Sequence, residues 1–263
     1  MSEWFKEHAW KACGRKASQV RILSPPLFMH SIFLNTWYAK CGDRFYDFVV
    51  QSSSNTDIFC FTEVDPDLFS KLEAKLPGFK GFYEKGIFDK KMGVFYGHAI
   101  FTKRDIQTRA FEKIISFRWV NNDIVFILPY GLKIGEKDLY LMNVHGKAMP
   151  GHKLDTPARI RQSRNIIDFL KGKNGPKIIG GDFNLDFHTK SVKMFEDAGY
   201  RNLIKEYGIK DTRGEVNHRQ YTSSEQQYFS DYCFVSQDVK VKDFKVPDIG
   251  ISDHLPLILD FEV

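Results

Sequence analysis

The chain has 263 residues, of which 43% are hydrophobic and 27% are charged. This size and composition allow one large domain or two small ones around a buried core, and they exclude a disordered or fibrous protein. Apolar runs stay well below the roughly 18 to 20 residues that cross a bilayer. The basic first 28 residues lack the apolar stretch of a secretory signal. We therefore expect a cytoplasmic protein with no membrane span.

More than half of the net charge of +5 lies at one end of the chain. Residues 1–28 hold five basic and two acidic side chains, a balance of +3, which leaves +2 for the remainder. A balance this small does not by itself indicate a nucleic-acid partner. The four cysteines form no C-x-x-C pair, so neither a zinc site nor a disulfide framework is expected.

Residues 1–28 differ in character from the sequence that follows. They show no strand or extended helix pattern after Trp10, and Pro25 and Pro26 close the segment. Two interpretations stay open: a basic, loosely ordered extension, or translated tRNA-gene sequence joined to the protein by an upstream start. We predict that the folded domain comprises residues 29–263.

From Met29 onward, short β-rich runs alternate with helical patterns. Isoleucine, valine, phenylalanine and tyrosine mark the predicted strands. These are Ser31–Asn35, Asp57–Thr62, Gly97–Thr102, Ile124–Leu128, Leu139–His145, Lys177–Gly181, Tyr232–Ser236 and Leu257–Glu262. Several are apolar throughout, which is expected where both faces of a sheet are covered.

Three helical patterns lie between the strands. Asp65-Pro66 and Thr156-Pro157 each combine a side-chain cap with proline at the first helical position, and a shorter helix is predicted at Ser191–Ala198. The apolar faces of the first two helices would be Leu68, Phe69, Leu72 and Leu76, and Ile160, Ile167 and Leu170. Strands and helices mix without a strict βαβ period and without a repeat, which favours a layered α/β sandwich in one domain.

Polar side chains recur at the ends of the apolar strands, where α/β sheets usually bind ligands. They are Asn35, Glu63, His145, Asp182 with Asn184, Asp231, and Asp253 with His254. Each has a plain structural alternative. Glu63 would favour the N-terminus of the helix that begins near Asp65. Asn35 and His145 would each suit a turn.

Two stretches suit chemistry as well as structure. Gly180–Asn184 fits a tight turn, but two glycines beside a carboxylate and an amide also let the backbone approach a phosphate or a metal. Ser252–His254 sets an aspartate beside a histidine at a strand entrance, which suits metal binding and proton transfer. If Asp231 meets His254, its carboxylate would fix the imidazole tautomer and favour the protonated form.

The whole set resembles one family, the metal-dependent endonuclease/exonuclease/phosphatase superfamily, over about residues 29–263. Exonuclease III-type repair nucleases, pancreatic-type deoxyribonuclease, neutral sphingomyelinases and inositol polyphosphate 5-phosphatases belong to it. Its motifs occur here in order as LNTW (34–37), FTEV (61–64), NVHG (143–146), GGDFN (180–184), SDYCFVS (230–236) and SDHLPL (252–257). One motif alone is weak, whereas six in order are specific.

The resemblance implies a four-layer sandwich of the deoxyribonuclease I type. Two mostly antiparallel sheets would pack face to face with helices outside, and the active site would lie at one rim. By motif match, Glu63 would be the principal Mg²⁺ ligand, with Asn35 beside it and Asp253 as a further carboxylate. Mg²⁺ suits such a site because it is usually held by one or two carboxylates together with substrate phosphate.

The resemblance also implies roles for five further residues. Asp182 would orient and deprotonate the attacking water, and Asn184 would hold the nucleophile or a phosphate oxygen. His254, oriented by Asp231, would bind the scissile phosphate or act as an acid. His145 would contact another phosphate oxygen.

The activity implied is a Mg²⁺-dependent phosphodiesterase or phosphatase that hydrolyses a P–O bond by direct attack of an activated water. Mn²⁺ is an alternative ion, and we expect a monomer. A non-catalytic binding module on the same fold is a remote alternative, disfavoured because the acidic and histidine motif positions are all present.

The substrate class stays open between nucleic acid, inositol phosphates, lipid head groups and small phosphoesters. Many relatives read R-[ILV]-D-Y where this chain has Phe229–Tyr232, so an arginine and an apolar residue are missing. Basic side chains that would line one rim for DNA or RNA, or form ordinary solvated faces, are Arg118, Lys147, Lys153, Arg159, Arg161 and Arg164. A nuclease is therefore the alternative reading of the function.

Overall fold

The computed structural model describes residues 28–89, 93–110, 116–119, 123–134 and 137–262. Within these residues the strands are β1 (Phe28–Asn35), β2 (Ile58–Val64), β3 (Phe79–Asp89), β4 (Val94–Lys103), β5 (Gln107–Ala110), β6 (Ser116–Trp119), β7 (Asp123–Ile134), β8 (Lys137–His145), β9 (Lys177–Asp182), β10 (Arg201–Asn202), β11 (Asp231–Val235), β12 (Lys240–Lys245) and β13 (Leu257–Glu262). The predicted N-terminal extension lies outside the described residues, except for Phe28 at the start of β1.

The helices lie between these strands and differ in length. They are α1 (Asp43–Ser52), α2 (Pro66–Lys75), α3 (Pro157–Leu170), α4 (Lys190–Asp197), α5 (Leu203–Glu206) and α6 (Gly214–His218), with a short 3₁₀ turn at Trp37–Ala39. None of the described helices is both long enough and apolar enough to span a membrane.

The described strands form two sheets. Their orders are β12-β13-β1-β2-β4-β3 and β10-β11-β9-β8-β7-β5, and β6 also pairs with β7 in the second sheet. The recorded pairings are antiparallel except for β1 with β2 and β8 with β9. Because the strands of a parallel pair end at the same edge of their sheet, each sheet brings two carboxyl ends together.

The two sheets share one hydrophobic core, as the resemblance implies. Its members come from both sheets and include Phe33, Cys60, Ile100, Leu141, Ile179 and Phe234. The sheets approach closely at Gly180, where a Cβ atom would lie 2.6 Å from the Phe33 ring. Any larger residue at this position of the GGDFN motif would therefore push the sheets apart.

The helices cover the outer faces of the sheets. On the first sheet, Phe45 and Val49 of α1 and Leu68 and Leu72 of α2 join a second apolar cluster. On the second sheet, Phe195 of α4 stacks on Phe234 with ring centroids 4.5 Å apart. The four-layer α/β sandwich is thereby confirmed.

The predicted helix starts are also confirmed. Asp65 accepts a hydrogen bond from the Leu68 backbone at 2.7 Å, and Thr156 accepts one from the Arg159 backbone at 3.2 Å. Each cap precedes a proline at the start of its helix. Since Asp65 is the cap of α2, the alternative in which Glu63 caps that helix is wrong.

The predicted buried face of α3 is wrong in part. The buried residues are Arg159, Gln162, Ser163, Ile166 and Leu170, whereas Ile160 and Ile167 are half-buried. Arg159 is tolerated on this face because carbonyl groups of the preceding loop accept its hydrogen bonds, and Gln162 Oε1 accepts from the Lys147 backbone at 3.0 Å.

Candidate active site

Residues from neighbouring strands meet at one edge of the second sheet. In the strand register, His145 of β8 lies opposite Asp182 of β9, and Asp182 lies opposite Asp231 of β11. Asn35 ends β1 in the facing sheet. The ends of the parallel strand pairs therefore lie close together. All eight predicted site residues lie in this region.

Glu63 is aimed into this place by a β-bulge. In the pairing of β2 with β4, Thr62 is opposite His98 but Val64 is opposite Gly97, so Glu63 is the extra residue. Its φ of 55° is left-handed, a conformation that is costly for a residue with a Cβ. Bulges next to active sites commonly redirect a side chain in this way.

The amide of Asn35 joins two carboxylates. Its Nδ2 donates to Glu63 Oε1 and to Asp182 Oδ2, each at 3.1 Å, while its Oδ1 accepts from the Trp37 backbone. The two carboxylates are consequently held close together in a largely buried setting. Such a pair repels itself unless positive charge lies nearby.

Glycines let the motif loops interlock. Gly181 has a φ of +124°, and a Cβ there would lie 2.3 Å from the Val144 carbonyl oxygen. At Gly146 a Cβ would lie 2.1 Å from the Phe183 carbonyl oxygen. The Gly146 N–H donates to the Asp182 carbonyl at 2.6 Å. The NVHG and GGDFN segments are therefore fixed against each other.

Asp182 is the most heavily contacted carboxylate of the group. Ser230 Oγ donates to it at 2.5 Å and the Asn184 backbone at 2.8 Å, while Nε2 of both His145 and His254 lies within 3.8 Å of its Oδ2. Burial raises the pKa of Asp182, but the nearby positive groups, led by His254, outweigh burial and hold it well below its ordinary value. Asp182 is therefore ionised at neutral pH.

His254 and Asp231 form the pair that the sequence suggested. His254 Nδ1 lies 2.8 Å from Asp231 Oδ2, with both side chains buried, and Nε2 faces Asp182. Burial and Arg213 lower the pKa of His254, yet Asp231, Asp182 and Asp253 raise it more. Burial also raises the pKa of Asp231, against the attraction of His254. The imidazole is therefore biased toward its protonated form.

Arg213 is a site residue that the sequence analysis missed. It is 8% exposed, its Nη2 lies 3.2 Å from Asp253 Oδ2, and its Nη1 contacts His254 Nε2. It lies between predicted strands in a segment with no recognisable motif. The missing arginine before Asp231 could have prompted a search for a replacement elsewhere in the chain.

The basic residues that were expected to line one rim differ in their burial and in their distance from the site. Lys153 reaches the site and its Nζ contacts Asn184 Oδ1, whereas Arg161 and Arg164 are exposed on α3. Arg159 is fully buried and donates to the carbonyls of Lys147, Ala148, Pro150 and Leu154. For Arg159, the expectation that it lines a rim and the expectation that it lies on a solvated face are therefore both wrong. Its side chain instead holds the loop that carries Lys153.

These side chains line a cavity of about 220 Å³. Its walls are Trp37, Tyr38, Lys40, Glu63, His145, Ala148, Lys153, Asp182, Asn184, Arg213, Asp253 and His254. Three cations and three carboxylates thus face one small space. Larger hollows of about 510 and 550 Å³ elsewhere on the described surface contain none of the predicted site residues.

Two groups in the site offer ligand atoms for a metal ion. Asp182, Asp231 and His254 each place one such atom within 4.8 Å of the others. The second group is the pair of carboxylates of Glu63 and Asp182, which the Asn35 amide joins. The predicted Mg²⁺ ligands were Glu63, Asn35 and Asp253, of which Glu63 and Asn35 lie in this group. Asp253 also lines the cavity and pairs with Arg213.

The model of the endonuclease/exonuclease/phosphatase family matches residues 33–254, which span the whole site. The chain belongs to this family. It is accordingly a hydrolase of phosphoric esters, and the family depends on divalent metal ions. No curated protein sequence matches the chain.

Solved structures of endonuclease/exonuclease/phosphatase proteins share the fold. One from Bacteroides vulgatus is 21% identical, with a TM-score of 0.68 over 90% of this chain and 99% of that one. A mannosyl-6-phosphatase from Bacteroides thetaiotaomicron is 20% identical, with a TM-score of 0.66 over 89% and 99%. A humanized TDP2 from D. rerio is 17% identical, with a TM-score of 0.69 over 90% and 99%.

Proposed function

We propose that this protein is a Mg²⁺-dependent phosphoesterase that hydrolyses a P–O bond by direct attack of water. The observation that carries the proposal is the position of Asp182. Its Oδ2 is bonded to Asn35, which also binds Glu63, and it lies within 3.8 Å of Nε2 of both His145 and His254. A base, an oxygen-rich metal side and two phosphate-binding imidazoles therefore surround one point.

The residues present fit Mg²⁺. Two carboxylates supply hard oxygen atoms, and a cation would relieve the repulsion between Glu63 and Asp182. Glu63 would be the principal ligand, with Asn35 beside it and Asp253 as a further carboxylate; Mn²⁺ suits the same oxygen atoms. When bound, the ion neutralises charge on a phosphate oxygen and on the leaving oxygen.

Asp182 orients the attacking water and takes its proton. Asp182 is ionised, and Ser230 and the Asn184 backbone hold its Oδ1, so the orientation of the carboxylate is fixed. The Asn184 side chain donates to the Gly146 carbonyl at 3.0 Å and to Asp182 at 3.2 Å, so it positions both the base and the loop that follows His145.

The two histidines act on the phosphate. His254, with Nδ1 held by Asp231, presents Nε2 to the cavity, where it donates to a phosphate oxygen or gives a proton to the leaving group. His145 donates to another oxygen. No covalent enzyme intermediate is required, since water attacks phosphorus directly.

Hydrolysis of phosphoesters by the full chain, with and without chelator, tests this proposal. We expect turnover that is lost in EDTA and restored by Mg²⁺, and a Glu63→Gln variant that needs far more Mg²⁺ for half-maximal rate. The matched control is Glu196→Gln, an ion-pair residue outside the cavity. Turnover that persists in EDTA, or an unchanged Mg²⁺ requirement in Glu63→Gln, would contradict the proposed metal site.

DNA or RNA cleavage is the second candidate function. Exposed Arg161 and Arg164 favour it, because exposed cations suit a nucleic-acid backbone, while the buried Arg159 contributes nothing to such a surface. Cytoplasmic localisation and a monomeric state stay predictions.

A further inference from the structure

We infer that Arg213 and Lys153 bind the terminal oxygens of a phosphomonoester, so that the enzyme acts on phosphate dianions rather than on phosphodiesters. This inference names the substrate class of the active site and rests on the proposed function. Neither residue belongs to the set of eight predicted from the motifs. Both line the cavity that contains Asp182 and His254.

Hydrogen bonds from side chains to the backbone fix the segment that carries Arg213. Asp211 accepts from the N–H groups of Arg213 and Gly214, and its carboxylate lies 2.7 Å from His218 Nε2. The hydroxyl of Thr212 accepts from the backbone of Asp231 at 3.2 Å. Thr212 therefore links the segment that carries Arg213 to the strand that carries Asp231. Preorganised donors of this kind bind anions with little reorganisation.

The cations of the cavity lie close enough to repel each other. Nη1 of Arg213 meets Nε2 of His254 directly. Burial lowers the pKa of Lys153, and the positive charge of Arg213 lowers it further, against the attraction of Asp182. An oxygen anion between these groups would accept hydrogen bonds from them and remove the repulsion. A guanidinium also keeps its charge at any physiological pH.

Charge balance favours a dianion. The cavity is lined by three basic side chains, Lys40, Lys153 and Arg213, and by three carboxylates, Glu63, Asp182 and Asp253. The protonated form of His254, which also lines the cavity, is balanced by the carboxylate of its partner Asp231. A divalent ion in the site would leave two positive charges uncompensated. A phosphomonoester dianion matches that charge, whereas a phosphodiester carries a single negative charge.

The volume of the cavity also favours a phosphomonoester. Its volume of about 220 Å³ is below the roughly 300 to 1,000 Å³ of pockets that enclose a drug-sized ligand. A phosphate with a few neighbouring atoms fills such a space. A phosphomonoester offers three non-bridging oxygens to the donors of this cavity, whereas a phosphodiester offers two, which leaves one more donor unpaired.

The test compares p-nitrophenyl phosphate with methyl p-nitrophenyl phosphate, which differ by one methyl group and one negative charge. In Arg213→Gln we expect kcat/KM for the monoester to fall about 100-fold, and kcat/KM for the diester to fall less than about 10-fold. Arg213→Lys keeps a cation without the planar fork and should fall between. Arg219→Gln, an exposed residue paired with Glu215, is the matched control and should leave both substrates unchanged.

Binding gives a readout that does not depend on turnover. By calorimetry at pH 8, inorganic phosphate should bind the full-length wild type, and bind Arg213→Gln at least about 30-fold more weakly. Dimethyl phosphate should bind both proteins alike. The Tm of each variant is measured alongside. If Arg213→Gln fails to fold, Arg213→Lys and Lys153→Gln take its place in both assays.

The outcomes separate the two proposals. Equal losses on the two esters, no loss on either, or a wild type that prefers the diester would overturn the inference and leave the hydrolase intact. Turnover of neither ester by the wild type would overturn the proposed function itself. A nucleoside 5′-monophosphate and a 5′-phosphorylated oligonucleotide distinguish two sources of the same phosphate. Release of inorganic phosphate supports the inference, and shortening of the oligonucleotide contradicts it.

Discussion

The active site has two halves that are built in different ways. The strand half comprises Asn35, Glu63, His145, Asp182 and Asp231, which lie on or at the ends of strands within the sheets. The loop half comprises the segments 147–154 and 211–229, which carry Lys153 and Arg213. Strand ends are fixed by the hydrogen bonds of a whole sheet, so they suit the bond-breaking step. The loop half can vary in sequence while the sheets stay unchanged, so it suits the choice of substrate.

The largest effect is expected from the centre of the strand half. Asp182→Asn removes the charged base but keeps the shape, so we predict a 10³- to 10⁴-fold loss of kcat, with the Tm measured alongside to show that the variant is folded. The control is Asp197→Asn, an exposed surface carboxylate. A turnover number within tenfold of wild type in Asp182→Asn would show that the strand half does not perform the chemistry.

In the loop half, Arg159 supports a segment without touching the cavity. Arg159→Met leaves four carbonyl oxygens without their donor, so we expect a loss of about 3 kcal/mol or more in the free energy of unfolding. Urea denaturation measures it, with exposed Arg164→Met as the control. An unchanged unfolding midpoint would mean that the loop is held by other contacts.

A substitution of Asp231 shows how far the strand half and the loop half depend on each other, because its partner His254 also contacts Arg213. Asp231→Asn should reduce kcat/KM about 10- to 100-fold by loosening the imidazole. Burial lowers the pKa of His254 and Asp231 raises it, so the alkaline limb of the kcat/KM profile should shift to lower pH in the variant. Measured profiles that coincide would remove the pair from the mechanism.

The smallest effect concerns His98, which lies beneath the strand half with its ring centroid 6.2 Å from that of His145. Burial, reinforced by His145, holds the pKa of His98 well below its ordinary value of 6.5. The unfolded chain therefore binds a proton below pH 6.5 that the folded chain does not. The free energy of unfolding should fall with falling pH, by at most about 1.4 kcal/mol per pH unit from this group.

Chemical denaturation at several pH values, for wild type and His98→Phe, isolates that contribution as the difference between the two curves. Exposed His152→Gln serves as the control. The two slopes between pH 6.5 and 5 should differ, with wild type the steeper. Parallel curves would mean that His98 takes up a proton within the folded protein.

Sequence was informative about the strand half for a physical reason. Close packing demands glycine at Gly146 and Gly181, where a Cβ would meet a backbone carbonyl, and at Gly180, where a Cβ would meet the Phe33 ring. The polar residues beside these glycines lie at fixed offsets in the sequence. These residues therefore form short motifs that can be recognised in the sequence. The fold class followed from the same motifs, and the family match supports it.

The loop half was not predictable in the same way. Arg213 lies in a segment held by Asp211 and Thr212 through side-chain contacts to the backbone, which leave no periodic pattern. Arg159 was misread because its burial depends on carbonyl groups that only the folded loop brings together. Helix α1 was missed since two residues, Phe45 and Val49, form its buried face.

The bulge at Glu63 has a cost that bears on engineering. A left-handed backbone at a non-glycine residue costs about 1 to 2 kcal/mol, and glycine adopts it freely. Selection for thermal stability alone would therefore favour glycine at position 63, and with it the loss of the carboxylate. Stabilising substitutions at this residue would therefore remove the proposed metal ligand, so a library screened only for heat resistance should accumulate inactive variants with glycine at position 63.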